Sequence, residues 1–114
     1  MNKSKTVKSV HVQKGQVDLK KMKPKCGNVA ELLKSLSHPQ RLLILGQLTK
    51  GPQTVTELQS VCNISQSQLS QFLIRMKIEG LLSCERKGKY QYYFIKEEKV
   101  VSLMQSLQSI FCNN

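Results

Sequence analysis

Polar side chains at helical spacing between Ser65 and Arg75 form the part of the chain best suited to bind another molecule through hydrogen bonds. An apolar stripe recurring at i, i+3, i+4 and i+7 predicts the buried face of this helix: Leu69, Phe72, Leu73 and Met76. The opposite face carries uncharged or basic side chains: Gln66, Ser67, Ser70, Gln71 and Arg75. A face without carboxylates can approach phosphates and can offer donors and acceptors to the base edges of a duplex. The alternative is a solvated polar face on an ordinary helix.

Two start signals indicate that this helix is the second of a pair. Thr54 stands three residues before Glu57, and Ser65 stands three residues before Gln68, so that each pair is a capping box. The stretch 54–80 therefore predicts two helices joined by a short polar turn. In a helix-turn-helix the second helix lies in the major groove, so this stretch favours duplex DNA as the ligand.

An alternating pattern follows the helix pair after Gly80. It predicts two strands, Leu81 to Arg86 and Tyr90 to Ile95, joined by a basic tip at residues 87–89. A hairpin directly behind a recognition helix is a wing, whose tip can meet a phosphate backbone or a minor groove. The alternative is that Lys and Gly stand at the tip for solubility alone.

These patterns together predict one DNA-binding surface. Four side chains would meet base edges and nearby phosphates: Gln66, Ser67, Ser70 and Gln71. Five others would mostly hold the backbone: Thr54, Arg75, Arg86, Lys87 and Lys89. Ser65 and Gln68 complete the set at the start of the recognition helix.

Charge is concentrated at the N-terminus of this 114-residue, single-domain chain. The formal net charge is +11, and residues 1–25 hold eight of the 18 basic residues and one of the seven acidic ones. We therefore expect a disordered basic arm over 1–25, which either tracks a DNA backbone or only improves solubility, and a folded domain over 26–114. No run of about 18 apolar residues occurs, so we expect no membrane partner and a cytoplasmic location.

The remaining helices are expected to build the core and a dimer. Asn28 would cap the first helix, and a second helix from Pro39 to about Thr49 would bury four leucines: Leu42, Leu43, Leu45 and Leu48. The last helix, from about Glu97 to Cys112, has a long apolar seam: Val100, Leu103, Met104, Leu107, Ile110 and Phe111. A small winged domain already has a core, so this seam favours pairing with a second copy. The predicted fold class is mainly α with a β-hairpin wing, a winged helix-turn-helix that dimerises through its terminal helices.

Enzymatic, metal and disulfide chemistry find little support in the sequence. The four cysteines (Cys26, Cys62, Cys84 and Cys112) lack C-x-x-C spacing, and the chain has only two histidines. No set of nucleophile, base and orienting residue is present. We therefore expect neither an enzyme nor a bound cofactor or metal. The alternative function is a basic RNA-associated or scaffold protein without operator specificity, which would use the Lys-rich arm. Its candidates for stacking on single strands are Tyr90, Tyr92 and Tyr93, of which Tyr93 is expected to face the core.

Several segments resemble the ArsR/SmtB family of winged-helix repressors over roughly residues 28–112. The resemblance lies in LLKSLSHPQRLLIL at 32–45, SQSQLSQFL at 65–73, EGLL at 79–82, YYFI at 92–95 and the terminal LQSIFC. It extends to the sulfide- and redox-responsive branch that includes BigR, SqrR and HlyU. The resemblance implies a homodimer that binds an imperfect inverted repeat and represses transcription until a signal is sensed.

Departures from the family pattern concern the signal. The paired cysteines of metal-responsive members are missing after Glu57 and Leu58, and residues 99–114 contain no His, Asp or Glu for the alternative zinc site. The resemblance to the thiol-responsive branch implies a redox role for Cys112, but Gly46 stands where that branch carries its second cysteine. Cys112 would then pair with Cys26 of the same or the partner chain, or be persulfidated or oxidised alone. The alternative is that the cysteines are small hydrophobic residues.

Overall fold

Six α-helices and one β-hairpin make up the computed structural model, which describes residues 15–112. The order is α1 (Leu19–Met22), a 3₁₀ turn (Lys23–Lys25), α2 (Cys26–Leu36), α3 (Pro39–Leu48), α4 (Val55–Cys62), α5 (Gln66–Ile78), β1 (Leu82–Lys87), β2 (Tyr90–Ile95) and α6 (Glu98–Phe111). The chain divides into two compact units between Glu31 and Leu32. This division falls later than the boundary expected after residue 25.

Part of the segment that the sequence predicted to be a disordered arm is helical. Residues 1–14 of that arm lie outside the described residues, but 19–25 form α1 and the 3₁₀ turn. The Asp18 side chain caps α1 by accepting a hydrogen bond from the Lys20 N–H at 3.0 Å. Pro24 stands at the start of the 3₁₀ turn, where its missing N–H costs nothing. Asn28 lies inside α2 and is not its cap, because helical backbone already precedes it.

The second unit is organised around an apolar core to which every helix from α3 to α6 contributes. Seven large side chains are fully buried: Ile44, Leu45, Leu58, Leu69, Leu73, Met76 and Leu82. The expected burial of Leu42 and Leu43 is wrong, since they are 36 % and 46 % exposed and Ile44 is buried in their place. Four consecutive apolar residues in α3 do not reveal which face turns inward; packing against the other helices decides it.

Side-chain caps position the helix pair. Thr54 caps α4 through a complete capping box: its hydroxyl accepts from the Glu57 N–H at 3.2 Å, and its own N–H donates to Glu57 Oε1 at 2.9 Å. Ser65 caps α5 by accepting from the Gln68 N–H at 3.1 Å. Asn63, between the two helices, adopts the left-handed conformation with φ 55°, which Asn tolerates better than most residues. The helix-turn-helix prediction is confirmed.

The predicted hairpin is also confirmed, with β1 shifted by one residue. Antiparallel pairing runs from Leu82 opposite Ile95 to Lys87 opposite Tyr90. The two-residue loop begins at Gly88, whose φ of +65° is a conformation that other residues adopt at a cost. Gln53 pairs with Tyr93 through two backbone hydrogen bonds of 3.0 and 2.8 Å, which fasten the wing to the loop before α4.

The final helix α6 has one end in the core and one end in solvent. Val100 is buried, and Leu103 and Met104 pack partly against the core. Ile110 and Phe111 are 69 % and 78 % exposed. The C-terminal part of the predicted seam is therefore not covered by the chain's own second unit. Among the described helices, none has the length and apolar character needed to cross a membrane.

Candidate nucleic-acid interface

The exposed face of α5 is held in place by its opposite face, where Leu69, Leu73 and Met76 are fully buried. The side chains predicted for this surface lie on it: Ser65, Gln66, Ser67, Gln68, Gln71 and Arg75 are exposed and Ser70 is half-buried. Most of their amide and hydroxyl groups face solvent, which leaves them available to a ligand. The helix therefore presents donors and acceptors on a rigid support.

Thr54 differs from the rest of the predicted set. It is 9 % exposed, and both its hydroxyl and its N–H are used within the capping box with Glu57. A residue buried in this way stabilises the start of α4 more directly than it contacts a ligand. Thr54 is therefore not part of the proposed interface.

Two exposed isoleucines on α5 were not singled out from the sequence. Ile74 is 53 % exposed and Ile78 is 77 % exposed. The signal was available, because the apolar stripe at Leu69, Leu73 and Met76 already leaves both isoleucines off the buried face. They add apolar area to an otherwise polar and basic surface.

The wing places its cations at the surface. Arg86, Lys87 and Lys89 are all exposed, and the Lys89 Nζ lies 5.8 Å from the centre of the Tyr90 ring. Within residues 15–112 the ion pairs are Arg41 with Glu79 and Lys99 with Glu97. The wing cations therefore have no carboxylate partner in the part of the chain that the structure describes, which leaves their charge available to an anion.

An ion pair at the C-terminal end of α5 neutralises Glu79, the first carboxylate after the recognition helix. Arg41 donates to both carboxylate oxygens of Glu79, at 2.7 and 3.2 Å, and to the Ser35 carbonyl at 2.8 Å. The Arg41 hydrogen bond is the main cause that lowers the pKa of Glu79, against an opposing effect of burial. The pair joins the end of α2, the start of α3 and the end of α5.

Glu79 is expected to make stability depend on acid pH. Because its pKa is lower in the folded chain, its contribution is complete above the ordinary carboxyl pKa of about 4.3 and is lost as pH falls through the folded-state value. Urea unfolding of the native chain and of Glu79→Gln should show a gap in unfolding free energy at pH 7 that shrinks below pH ~4.3. A gap that stays constant down to acid pH would contradict this role.

A small concave pocket lies between α3 and α5. Its volume is about 260 Å³, and it is lined by Arg41, Gln68, Gln71, Phe72 and Arg75. Guanidinium and amide groups are donors that suit anionic oxygen atoms. Phe72 serves packing, since its ring meets the His38 ring edge-on with centroids 4.9 Å apart. The pocket extends the donor-rich surface of α5 toward α3.

Comparison with known proteins identifies the family. The model of the bacterial regulatory proteins of the arsR family matches residues 38–83, which include α3, the helix-turn-helix and the first wing residues. The biofilm growth-associated repressor of Agrobacterium fabrum is 36 % identical over 98 residues, 86 % of this chain and 84 % of that protein. The chain belongs to the arsR family.

Solved structures agree with this assignment within the arsR family. The transcriptional repressor BigR from Xylella fastidiosa has a TM-score of 0.80 and 35 % identity, covering 86 % of this chain and all of BigR. A homodimeric winged helix-turn-helix domain from Mycobacterium bovis has a TM-score of 0.66 and 30 % identity, covering 86 % and 89 % of the two chains. HlyU proteins from Vibrio species also match. The predicted arsR family, winged helix-turn-helix fold and BigR/HlyU branch are confirmed.

The four cysteines differ in burial in this arsR-family fold. Cys62 is buried, and burial raises the pKa of its thiol. Cys84 on β1 accepts a hydrogen bond from Gln91 Nε2 at 3.1 Å, which is the main cause that lowers its pKa. Cys26 and Cys112 are exposed free thiols. A pairing of Cys26 with Cys112 stays a prediction.

Cys112 lies at an open apolar groove between α3 and α6. The groove has a volume of about 420 Å³ and is lined by Leu42, Gly46, Thr49, Met104, Gln105, Leu107, Gln108, Phe111 and Cys112. Gly46 leaves room in it, because a Cβ built there would have only the Met104 methyl within 4 Å, at 3.9 Å. Across residues 15–112, no group of three or more His, Cys, Asp and Glu side chains is placed to hold a metal ion.

Proposed function

We propose that this chain is a homodimeric, sequence-specific DNA-binding repressor of transcription that acts in the cytoplasm. The observation that carries the proposal is the exposed face of α5, which is free of carboxylates from Gln66 to Ile78 and stands beside an unpaired cationic wing. Donors and acceptors on a helix suit major-groove base edges, and cations suit phosphates. The repressors among its arsR relatives support the same function.

The homodimer is supported by the uncovered end of α6. Ile110 and Phe111 are mostly exposed within the second unit, and an apolar helix end of this kind is stabilised by burial against a second copy. The homodimeric Mycobacterium bovis domain supports this arrangement. A two-fold dimer would present two α5 helices to half-sites about one turn of duplex apart. The operator that fits such a dimer is an inverted repeat.

The side chains of the interface divide into two roles in this proposal. Gln66, Ser67, Ser70 and Gln71 read base edges near the start of α5, with Ser65 and Gln68 shaping that start. Arg75, Arg86, Lys87 and Lys89 hold the phosphate backbone. Base contacts set sequence preference, whereas phosphate contacts set affinity for any duplex and its dependence on salt.

Two alanine substitutions are expected to separate these roles. Gln66→Ala should lower the discrimination between operator and mutated operator by about 1–3 kcal/mol, because the base-edge hydrogen bonds are lost. Lys89→Ala should weaken binding to all duplexes similarly and reduce the salt slope by about one. Fluorescence anisotropy with duplexes selected from a random library, at several salt concentrations, measures both quantities.

Each variant serves as the control for the other, since both positions are exposed and neither contributes to the core. Circular dichroism should show the same helix content and melting temperature in both variants. The role assignment would be wrong if both variants matched the native chain on operator and on random duplex.

Release from DNA is proposed to follow modification of the Cys112 thiol. The thiol is exposed and lies at the groove between α3 and α6, so that a persulfide or oxidised sulfur would alter the surface on which α6 packs. Treatment with polysulfide or peroxide should weaken operator binding by the native chain, and Cys112→Ser should keep its affinity. Cys62→Ser is the matched control at a buried thiol. Equal affinity before and after treatment of the native chain would remove the thiol switch while leaving the repressor.

The alternative of single-strand binding on aromatic rings gains no support from the wing. Tyr92 and Tyr93 are half-buried, and only Tyr90, at 52 %, offers an exposed ring. Successive bases need several exposed rings on which to stack. The geometry therefore favours duplex DNA.

A further inference from the structure

Four residues of α5 form one stripe that runs along its exposed side. Ser67, Gln71, Ile74 and Ile78 are spaced at i, i+4, i+7 and i+11, which places them on one face of a helix. This face is opposite to the buried Leu69, Leu73 and Met76. The two polar residues come first and the two isoleucines follow. Ile74 stands about 10 Å beyond Ser67 along the helix axis, at 1.5 Å per residue.

Ile74 continues the surface that we propose to read DNA. It follows Gln71 by one helical turn, and the residue beside it, Arg75, is an exposed cation. Ile74 is 53 % exposed, which leaves a large part of its surface open to a ligand. The positive charge of Arg75 and of the nearby wing favours a polyanion over an apolar protein partner. The occupant of this face is therefore the same duplex that Gln71 contacts.

The major groove has one apolar group that an isoleucine can recognise. It is the C5-methyl group of thymine, which distinguishes a T·A pair from the other pairs by apolar contact. We propose that Ile74 packs against a thymine methyl in each half-site and thereby selects T·A at that step. This inference rests on the proposed function, and it adds an apolar specificity determinant to the polar ones.

Ile74 is the reader and Ile78 is its matched control. In a helix-turn-helix, base contacts come from the N-terminal part of the recognition helix. Ile74 is the ninth of the thirteen residues of α5 and therefore lies four residues nearer to that part than Ile78 does. Ile78 is the last residue of α5 and is 77 % exposed. It lies one further turn, about 6 Å, toward the C-terminal end, where we expect contact with base edges to be lost. Both positions are isoleucines on the same face of α5, and they differ in their distance from its N-terminal end.

Replacing thymine with deoxyuridine removes the methyl group and keeps base pairing. In an operator selected from a random library, this replacement at the contacted step should weaken native binding about fourfold per half-site, the value expected for one buried methyl group. Replacement in both half-sites should weaken it about fifteenfold. Ile74→Ala should bind the thymine and deoxyuridine operators equally, whereas Ile78→Ala should keep the native ratio.

The outcomes separate this inference from the proposed function. If thymine and deoxyuridine operators bind the native chain equally while operator still outcompetes random duplex, the methyl contact is wrong and the repressor stands. If Ile74→Ala keeps the native ratio, or Ile78→Ala loses it, the assignment to Ile74 is wrong. If native chain binds operator and random duplex equally, the proposed function itself fails. Thermal melting of both variants checks that each is folded.

Discussion

Replacing Phe111 with glutamate is expected to lower operator affinity by at least about a hundredfold, because the dimer that holds two recognition helices is lost. Phe111 is 78 % exposed in the second unit, so a charge there costs little in a single folded chain. In the proposed dimer the same charge would be buried without a partner, which is strongly unfavourable. A monomer contacts only one half-site, so it loses the increase in affinity that a dimer obtains by binding both half-sites at once.

Sedimentation equilibrium measures whether the variant dimerises. Fluorescence anisotropy with the selected operator measures its affinity for DNA. Ser109→Glu is the matched control, because Ser109 is exposed on the same helix and points about 200° away from Phe111 at 100° per residue. That control should remain dimeric and bind like the native chain. A Phe111→Glu chain that still dimerises with native affinity would show that the dimer interface lies elsewhere.

Replacing Leu69 with alanine is expected to lower the free energy of unfolding by about 3 kcal/mol, within the 2–5 kcal/mol range of buried leucines. Leu69 is fully buried in the helix-turn-helix, and its removal leaves a cavity in the core. The loss is a large part of the ~5–15 kcal/mol that stabilises a typical domain. Operator binding should fall as well, although Leu69 faces away from the proposed interface.

Urea denaturation at pH 7 measures this stability change. Ile74→Ala provides the comparison within the same helix, since Ile74 is half-exposed and its truncation should cost about 1 kcal/mol or less. A cost for Leu69→Ala as small as that for Ile74→Ala would mean that the two faces of α5 are not the ones described. The orientation of the recognition surface would then need to be assigned again.

Strong local signals made parts of the fold predictable from the sequence. The N-cap patterns at Thr54 and Ser65 and the period of the α5 stripe identified the helix pair. Gly88 and the alternation around it identified the hairpin to within one residue. These signals work because each depends on residues close together in the chain, whose geometry is set by backbone hydrogen bonds and helical or strand periodicity.

Features that depend on contacts distant in sequence were not predictable in the same way. Arg41 and Glu79 are 38 residues apart, and no local sequence pattern around either residue predicts the ion pair. The buried face of α3 was misassigned because its run of apolar residues is compatible with more than one orientation of the helix against the core. Thr54 was expected at the surface, but its capping role buries it.

Binding stoichiometry and specificity on one selected duplex test the central claim most directly. At a fixed, physiological salt concentration, we expect two chains per duplex and affinity at least about a thousandfold higher than for a scrambled duplex of equal composition. One chain per duplex, or equal affinity for the selected and scrambled sequences, would contradict a dimeric, sequence-specific regulator that reads DNA with α5.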